Sequence, residues 1–152
     1  MCDYVERARD FFLQGYSCAQ SVLAAFAQPI GMTQEQALML SSSFGAGIGR
    51  LREVCGALSS LLMVQGVLEG YATPSAEDKA AHYERVQALC ERFRSEMGSI
   101  ICRDLLGNSA STVPVPDARN NAYYASRPCL KAVECAARLG AEIVSAKKLQ
   151  KN

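Results

Sequence analysis

The sequence predicts an all-α fold, a single-domain bundle of about six helices, and three observations carry that prediction. Apolar residues recur at three- and four-residue spacing, and no alternating run is long enough to propose a strand. Capping residues, glycines and prolines cut the chain into helix-length pieces. The chain has 152 residues, 49% hydrophobic and 20% charged, which is the make-up of one ordinary domain able to bury a full core without disulfides. No internal repeat or shift in composition marks a boundary, so residues 1–152 are read as one unit.

The elements follow in order. The first helix covers Asp3 to Gln14, with Tyr4, Ala8, Phe11 and Phe12 on one face and Gly15 as its stop. The second starts at Ser17, where Ser17-Cys18-Ala19-Gln20 fits a capping box, and ends before Pro29. Thr33-Gln34-Glu35-Gln36 fits the same box and opens a third helix that reaches about Ser43. A glycine-rich link follows, Gly45-Ala46-Gly47-Ile48-Gly49, and then the most apolar helix, Arg50 to Glu69, expected to be central and buried. Pro74-Ser75-Ala76-Glu77-Asp78 starts a long helix to Met97, with Tyr83, Val86, Cys90, Phe93 and Met97 as its inward stripe and Gly98 as its stop. Ser99 is read as the cap of a short helix ending at Gly107. Asn108 to Ser126, polar and carrying Pro114 and Pro116, reads as a long loop, either a cover over a functional site or a mobile segment. The last helix runs from about Pro128 to Leu149, with Lys147 and Lys148 suited to its negative end.

Charge narrows the function. A formal net charge of +1 gives no reason to expect a nucleic-acid or membrane-surface partner. The N-terminus, Met1 to Arg7, carries acidic residues and lacks the apolar core of a secretory signal. The longest apolar stretch, Val54 to Leu68, is interrupted by Ser59, Ser60 and Gln65 and is shorter than the roughly 20 residues a bilayer needs. A cytoplasmic protein with reduced thiols is the expectation.

Cysteine is the outlier, with 7 in the chain, an odd number that does not fit a fully paired framework. Cys18 follows the cap Ser17, Cys102 follows Ser99 by three residues, Cys129 follows Pro128, and Cys55 comes just after the glycine link. All four fall at or near helix N-termini, where unpaired N–H groups and the helix dipole favour a thiolate. Arg50, Arg52, Arg103 and Arg127 are expected to push the same way. Cys90 and Cys135 sit mid-helix and read as small buried filler, and Cys2 as having no role. No two of the four form a CxxC pair, so from spacing alone they are equally readable as ordinary buried cysteines.

Sequence context adds a resemblance. Tyr16-Ser17-Cys18-Ala19-Gln20-Ser21-Val22, Phe44-Gly45-Ala46-Gly47-Ile48-Gly49, Glu53-Val54-Cys55-Gly56-Ala57, Gly98 through Gly107 around Cys102, and Cys129 with Val133 resemble the C_GCAxxG_C_C family. That is a family of small bacterial and archaeal proteins named for its cysteine pattern and described as redox-active. The resemblance runs in order from about residue 10 to residue 140 and picks out the same four cysteines. It implies a helical fold and a redox or metal role. Some members carry twin-arginine export signals, and a related domain occurs in a multihaem cytochrome with an iron–sulfur centre, both of which hint at a bound cluster. The family motif around Cys55 ends in Gly, whereas this chain has Ser60, and Gly there would allow closer backbone approach.

The resemblance makes Cys18, Cys55, Cys102 and Cys129 the candidate ligands of an iron–sulfur cluster or other metal, serving electron transfer with a redox partner the sequence does not name. Gly47 and Gly49 of the link, with Gly56 beside Cys55, are the candidate backbone contacts to such a group. A thiol–disulfide protein or sensor using a pair of the same cysteines, with no cofactor, is the alternative. Zinc ranks behind a cluster. A helical interaction module with structural cysteines stands as the fourth reading, and the apolar face of the central helix also allows a homodimer. The glycine link is not a nucleotide fingerprint because no strand precedes it. The lone histidine, His82, reads as exposed on a charged helix and outside the chemistry, and Glu53 and Asp104 as partners of helix dipoles. If the four cysteines act together, their sulfurs must line one pocket.

Overall fold

A computed structural model describes residues 2–151, the side chain of Cys2 excepted, so the expectation for Cys2 lies outside the described residues. Among these are eight right-handed α-helices and no strand beyond an isolated bridge, so the all-α expectation holds and the helix count is somewhat higher than expected. The helices are α1 (Cys2–Leu13), α2 (Cys18–Ala25), α3 (Gln34–Ser41), α4 (Gly56–Glu69), α5 (Ala76–Met97), α6 (Cys102–Leu106), α7 (Asn121–Ser126) and α8 (Cys129–Lys151). None is long and apolar enough to cross a membrane.

Both capping boxes form. Ser17 Oγ accepts from the Gln20 N–H at 3.2 Å while Gln20 Oε1 accepts from the Ser17 N–H at 3.3 Å. Thr33 and Gln36 repeat the exchange at 3.1 and 2.9 Å. Each box satisfies two donors that a helix start would otherwise leave unpaired. Ser75 caps α5, and Gly98 at φ 95° ends it in the left-handed region that glycine enters without strain.

The core forms where α1, α2, α4 and α8 meet. Val22, Leu23, Phe26, Leu58, Leu61, Val64 and Val133 are wholly buried there. Helix α2 is short but almost completely enclosed, and Phe26 just past its end is the pivot: Tyr4 stacks on its ring at 4.6 Å. Gly140 of α8 lies against the other side, where a Cβ would come within 2.7 Å of the Phe26 ring. Helix α5 packs at the edge. Phe93 is buried and Val86, Cys90 and Met97 half-buried, as the predicted stripe has them, but Tyr83 is 52% exposed and His82 and Leu89 turn inward beside the stripe. His82 is therefore buried rather than exposed, its ring edge-on to Tyr71 at 5.7 Å.

Three other expectations change. The loop read from 108 to 126 contains α7, whose cap Asn120 accepts from the Tyr123 N–H at 2.9 Å. Helix α6 starts at Cys102 with Ile101 as its cap, not Ser99. Ser99 Oγ instead accepts from the Ile101 N–H at 3.0 Å and donates to Asp104. Residues 50–55 are not helical: α4 begins only at Gly56.

What replaces the helix is a left-handed turn. Ala46, Gly47, Ile48, Gly49 and Arg50 have φ of 56, 69, 66, 54 and 71°, and Arg52 follows at 63°. Glycine enters this region freely, but Ala, Ile and Arg do so at a cost on the order of 1–2 kcal/mol each. The turn is held because the chain leaving it pairs with the start of α6. The Cys55 N–H donates to Ile100 O at 2.8 Å, the Cys102 N–H to Glu53 O at 2.7 Å, and the Arg103 N–H to Arg52 O at 3.1 Å. Val54 and Ile101 form the antiparallel bridge at the centre. A Cβ on Gly47 would sit 2.7 Å from Glu53 N and 2.8 Å from Arg52 Cα, so only glycine fits inside the turn.

Two substitutions test this account. Gly47→Ala is expected to destabilise by about 2–4 kcal/mol, since it adds both a backbone clash and left-handed strain. Ile48→Asn, at a half-exposed position where Asn tolerates the same φ, is expected to be neutral or to stabilise by up to about 1 kcal/mol. Urea midpoints at unchanged slope measure both.

Candidate functional site

Four helices begin around one cavity. Cys18 is the first residue of α2, Cys102 of α6 and Cys129 of α8, and Cys55 is the cap of α4. All four line a single cavity of about 410 Å³, a size typical of small-ligand sites. The pairing of residues 52–55 with 100–103 sets Cys55 beside Cys102. Cys18 is brought in by Gly56, where an added Cβ would meet Cys18 Sγ at 2.7 Å and Phe44 O at 2.6 Å. Cys129 closes the ring, with Pro128 ahead of it in the wall.

Gly49 and Gly56 also line the cavity. Gly47 does not: it lies behind the wall, packed on the Cys102 Cβ, and serves the turn. Glu53, Asp104 and His82 are absent from the lining. Glu53 pairs with Arg103 at 3.3 Å on the surface, so Arg103 is not directed at Cys102 as expected. Cys135 is fully buried in the core and Cys90 half-buried, away from the cavity, as filler cysteines would be.

The segment from Gly107 to Asn120 lies over the cavity as a cover. Arg50 Nε donates to Val113 O, and Arg52 Nε donates to Ser111 O at 2.8 Å. Asp117 Oδ2 accepts from Arg50 Nη1 at 3.2 Å and from Arg127 Nη2 at 2.8 Å. Farther along, Arg119 donates to the carbonyls of Phe12 and Tyr16, both at 3.1 Å. Its guanidinium lies over the Phe12 and Tyr123 rings at 4.5 and 4.8 Å. Pro114 and Pro116 complete the lid. The sequence marked Arg50, Arg52 and Arg127 only as neighbours of cysteines. Asp117, Arg119 and Tyr123 went unmarked, and a charged Asp117-Ala118-Arg119 run following two prolines is the only local signal they offer.

The expectation of thiolates is overturned for Cys55, Cys102 and Cys129. Burial pushes the Cys55 thiol far up, and Cys18 and Cys102 add to the shift. Burial raises Cys102 as well, outweighing the Arg52 Nη1 contact to its sulfur at 3.7 Å. Cys129 is pushed up to about 12, by burial first and then by Cys18 and Cys102. Asp117 moves the other way, held below the usual carboxylate range by its hydrogen bond to Arg50 and then by Arg127. Desolvation penalises the charged form more than helix starts favour it, and each thiolate would repel the next.

Cys18, Cys55, Cys90, Cys102, Cys129 and Cys135 are free, and among the described residues no three His, Cys, Asp or Glu side chains stand close enough to hold one metal ion. Four thiols lining one cavity are a donor set of the kind that thiolate-ligated metals and clusters use.

A family model described as "Putative redox-active protein (C_GCAxxG_C_C)" matches residues 16–143. The chain belongs to this family. The match spans all four cavity cysteines and most of the core. Neither a curated protein nor a solved structure matches the chain. The C_GCAxxG_C_C motif departs from the family at Ser60, and the structure shows what the departure does. Ser60 is fully buried, and its hydroxyl donates to Ala19 O at 2.6 Å, tying α4 to α2 one residue beyond Cys18. The helices stay in close contact, with a hydrogen bond where the family has a bare glycine.

The raised thiols give a pH dependence. The folded pKa lies above the unfolded value, so the unfolded chain gives up its protons first as pH rises. Stability from this source is fully present below about pH 9 and is lost as pH climbs toward 12. Urea midpoints of the metal-free protein should hold steady to about pH 8.5 and then fall, with a shallower fall in Cys129→Ser.

Proposed function

We propose that this protein holds an iron–sulfur cluster in the cavity through Cys18, Cys55, Cys102 and Cys129, and carries electrons to and from a partner protein. The observation that supports this best is the placement of four thiols, from four separate helix starts, around one cavity. Four cysteine thiolates are the common donor set for such clusters, which supply one-electron chemistry when bound. The chain's own part is to lose the thiol protons on ligation, to balance the resulting charge with Arg50, Arg52 and Arg127, and to exclude water with the Gly107–Asn120 cover. Arg52 Nη1, already directed at Cys102 Sγ, supplies a hydrogen bond of the kind that tunes potential. Six free thiols among the described residues suit a reducing cytoplasm.

One observation favours a second reading. Cys18 Sγ lies against Gly56, the residue next to Cys55, and after burial Cys18 is the neighbour that most raises Cys55. In that reading Cys18 and Cys55 form a disulfide, losing two protons and two electrons to a thiol–disulfide partner.

Anaerobic reconstitution with ferrous iron and sulfide separates them. The cluster reading expects visible absorption with stoichiometric iron and sulfide, lost in a serine variant of any of the four cysteines and kept in Cys90→Ser and Cys135→Ser. A colourless wild type would sink it. Loss of two titratable thiols on mild oxidation, absent from Cys18→Ser and Cys55→Ser, would then carry the second reading.

A further inference from the structure

Three guanidinium groups converge at the cavity mouth on a single carboxylate oxygen. Asp117 Oδ2 lies 3.2 Å from Arg50 Nη1, 2.8 Å from Arg127 Nη2 and 3.9 Å from Arg52 Nη2. The arginine side chains are nearly enclosed, at 11, 12 and 3% exposure, whereas Asp117 is 37% exposed. Among the described residues Asp117 is the one acidic group lining the cavity, so three buried positive charges face one half-open negative charge. Buried charges are normally paired and hydrogen-bonded.

Arg52 shows where the deficit falls. Its Nε is held by Ser111 O and its Nη1 reaches Cys102 Sγ, but Nη2 is buried with no hydrogen-bond partner. Asp117 is too far from it to bond. Arg119 does not share in the deficit, because both its terminal nitrogens are committed to backbone carbonyls. The left-handed turn brings Arg50 and Arg52 to this place.

We propose that Arg50, Arg52 and Arg127 form a binding site for a small oxyanion, a carboxylate or a tetrahedral anion, at the mouth of the thiol cavity, with Asp117 as the carboxylate that holds its place when no ligand is bound. Guanidinium forks match such anions through paired N–H donors. An anion that takes over the Asp117 position gains the Arg52 Nη2 donor that Asp117 leaves idle, and it lies beside Cys102. Release of Asp117 loosens the cover at that residue, while Arg52 and Arg50 still hold the Ser111 and Val113 carbonyls and Arg119 keeps the far end fastened. The inference stands on the arginines and does not depend on what the thiols bind.

Isothermal titration of sodium sulfate, and separately of sodium acetate, into metal-free protein at constant ionic strength tests it. Saturable binding of about one equivalent of one of these is expected. Asp117→Asn, which removes the competitor, should tighten binding roughly tenfold, and Arg127→Gln should weaken it roughly tenfold. Arg50→Gln provides a second variant if Arg127→Gln loses its far-UV helical signal. Cys55→Ser, which cannot complete a four-thiolate site, should bind the anion within about twofold of wild type, so a failed cluster reconstitution leaves this result intact. Absence of saturable binding of both anions in Asp117→Asn, or equal affinity in wild type and a folded arginine variant, overturns the proposal.

Discussion

The short antiparallel pairing of residues 52–55 with 100–103 is the contact on which the rest of the site depends. It joins the start of α4 to the start of α6, and so fixes Cys55 against Cys102. It also holds the far end of the left-handed turn, whose Gly47 O accepts from the Glu53 N–H at 2.9 Å. Three backbone hydrogen bonds contribute little net stability, about 1 kcal/mol each. Their effect is on register: they fix which residues of the two segments face each other, and so which of them reach the cavity.

Two opposing electrostatic effects meet at the cysteines, and their sizes decide the outcome. A helix start favours an anion by about 0.3–1 kcal/mol when exposed. Carrying Cys129 from an ordinary value of 9.0 to about 12 corresponds to something on the order of 4 kcal/mol in the opposite sense. Enclosure therefore wins at Cys55, Cys102 and Cys129, which rest as neutral sulfur beside a surplus of arginine. The same enclosure makes the guanidinium surplus costly, which is why the cover supplies Asp117 and a series of carbonyl oxygens to meet it.

Much of this was legible in the sequence because it is local. Ser17 with Gln20 and Thr33 with Gln36 announce helix starts through their own hydrogen bonds, and the four cysteines were correctly placed near such starts. The turn was not legible. Ile48, Arg50 and Arg52 are residues that avoid the left-handed region, so local preference favours continuing helix through 50–55, and only pairing with a segment about fifty positions away overrides it. The arginine cluster was hidden for the same reason, since Arg50 and Asp117 are 67 positions apart. His82 was misplaced because in the first turns of α5 it turns inward where the pattern favours Tyr83, while the rest of the stripe is as expected. That the four cysteines could share one cavity was foreseen, but the protonation of Cys55, Cys102 and Cys129 was not, because burial is a property of the assembled helices rather than of any one start.

Protonated sulfur beside waiting positive charge gives the cavity a form of latency. A thiol is a poor nucleophile and a slow target for oxidants, so at rest the protein is shielded from random oxidation in a way that exposed, acidic thiols are not. Its sulfurs become reactive when something entering the cavity displaces a proton or supplies a compensating charge. Loading of a group through thiolates would release acid to the surroundings, so occupancy of that kind would be coupled to the local pH, eased by an alkaline shift and reversed by an acid one.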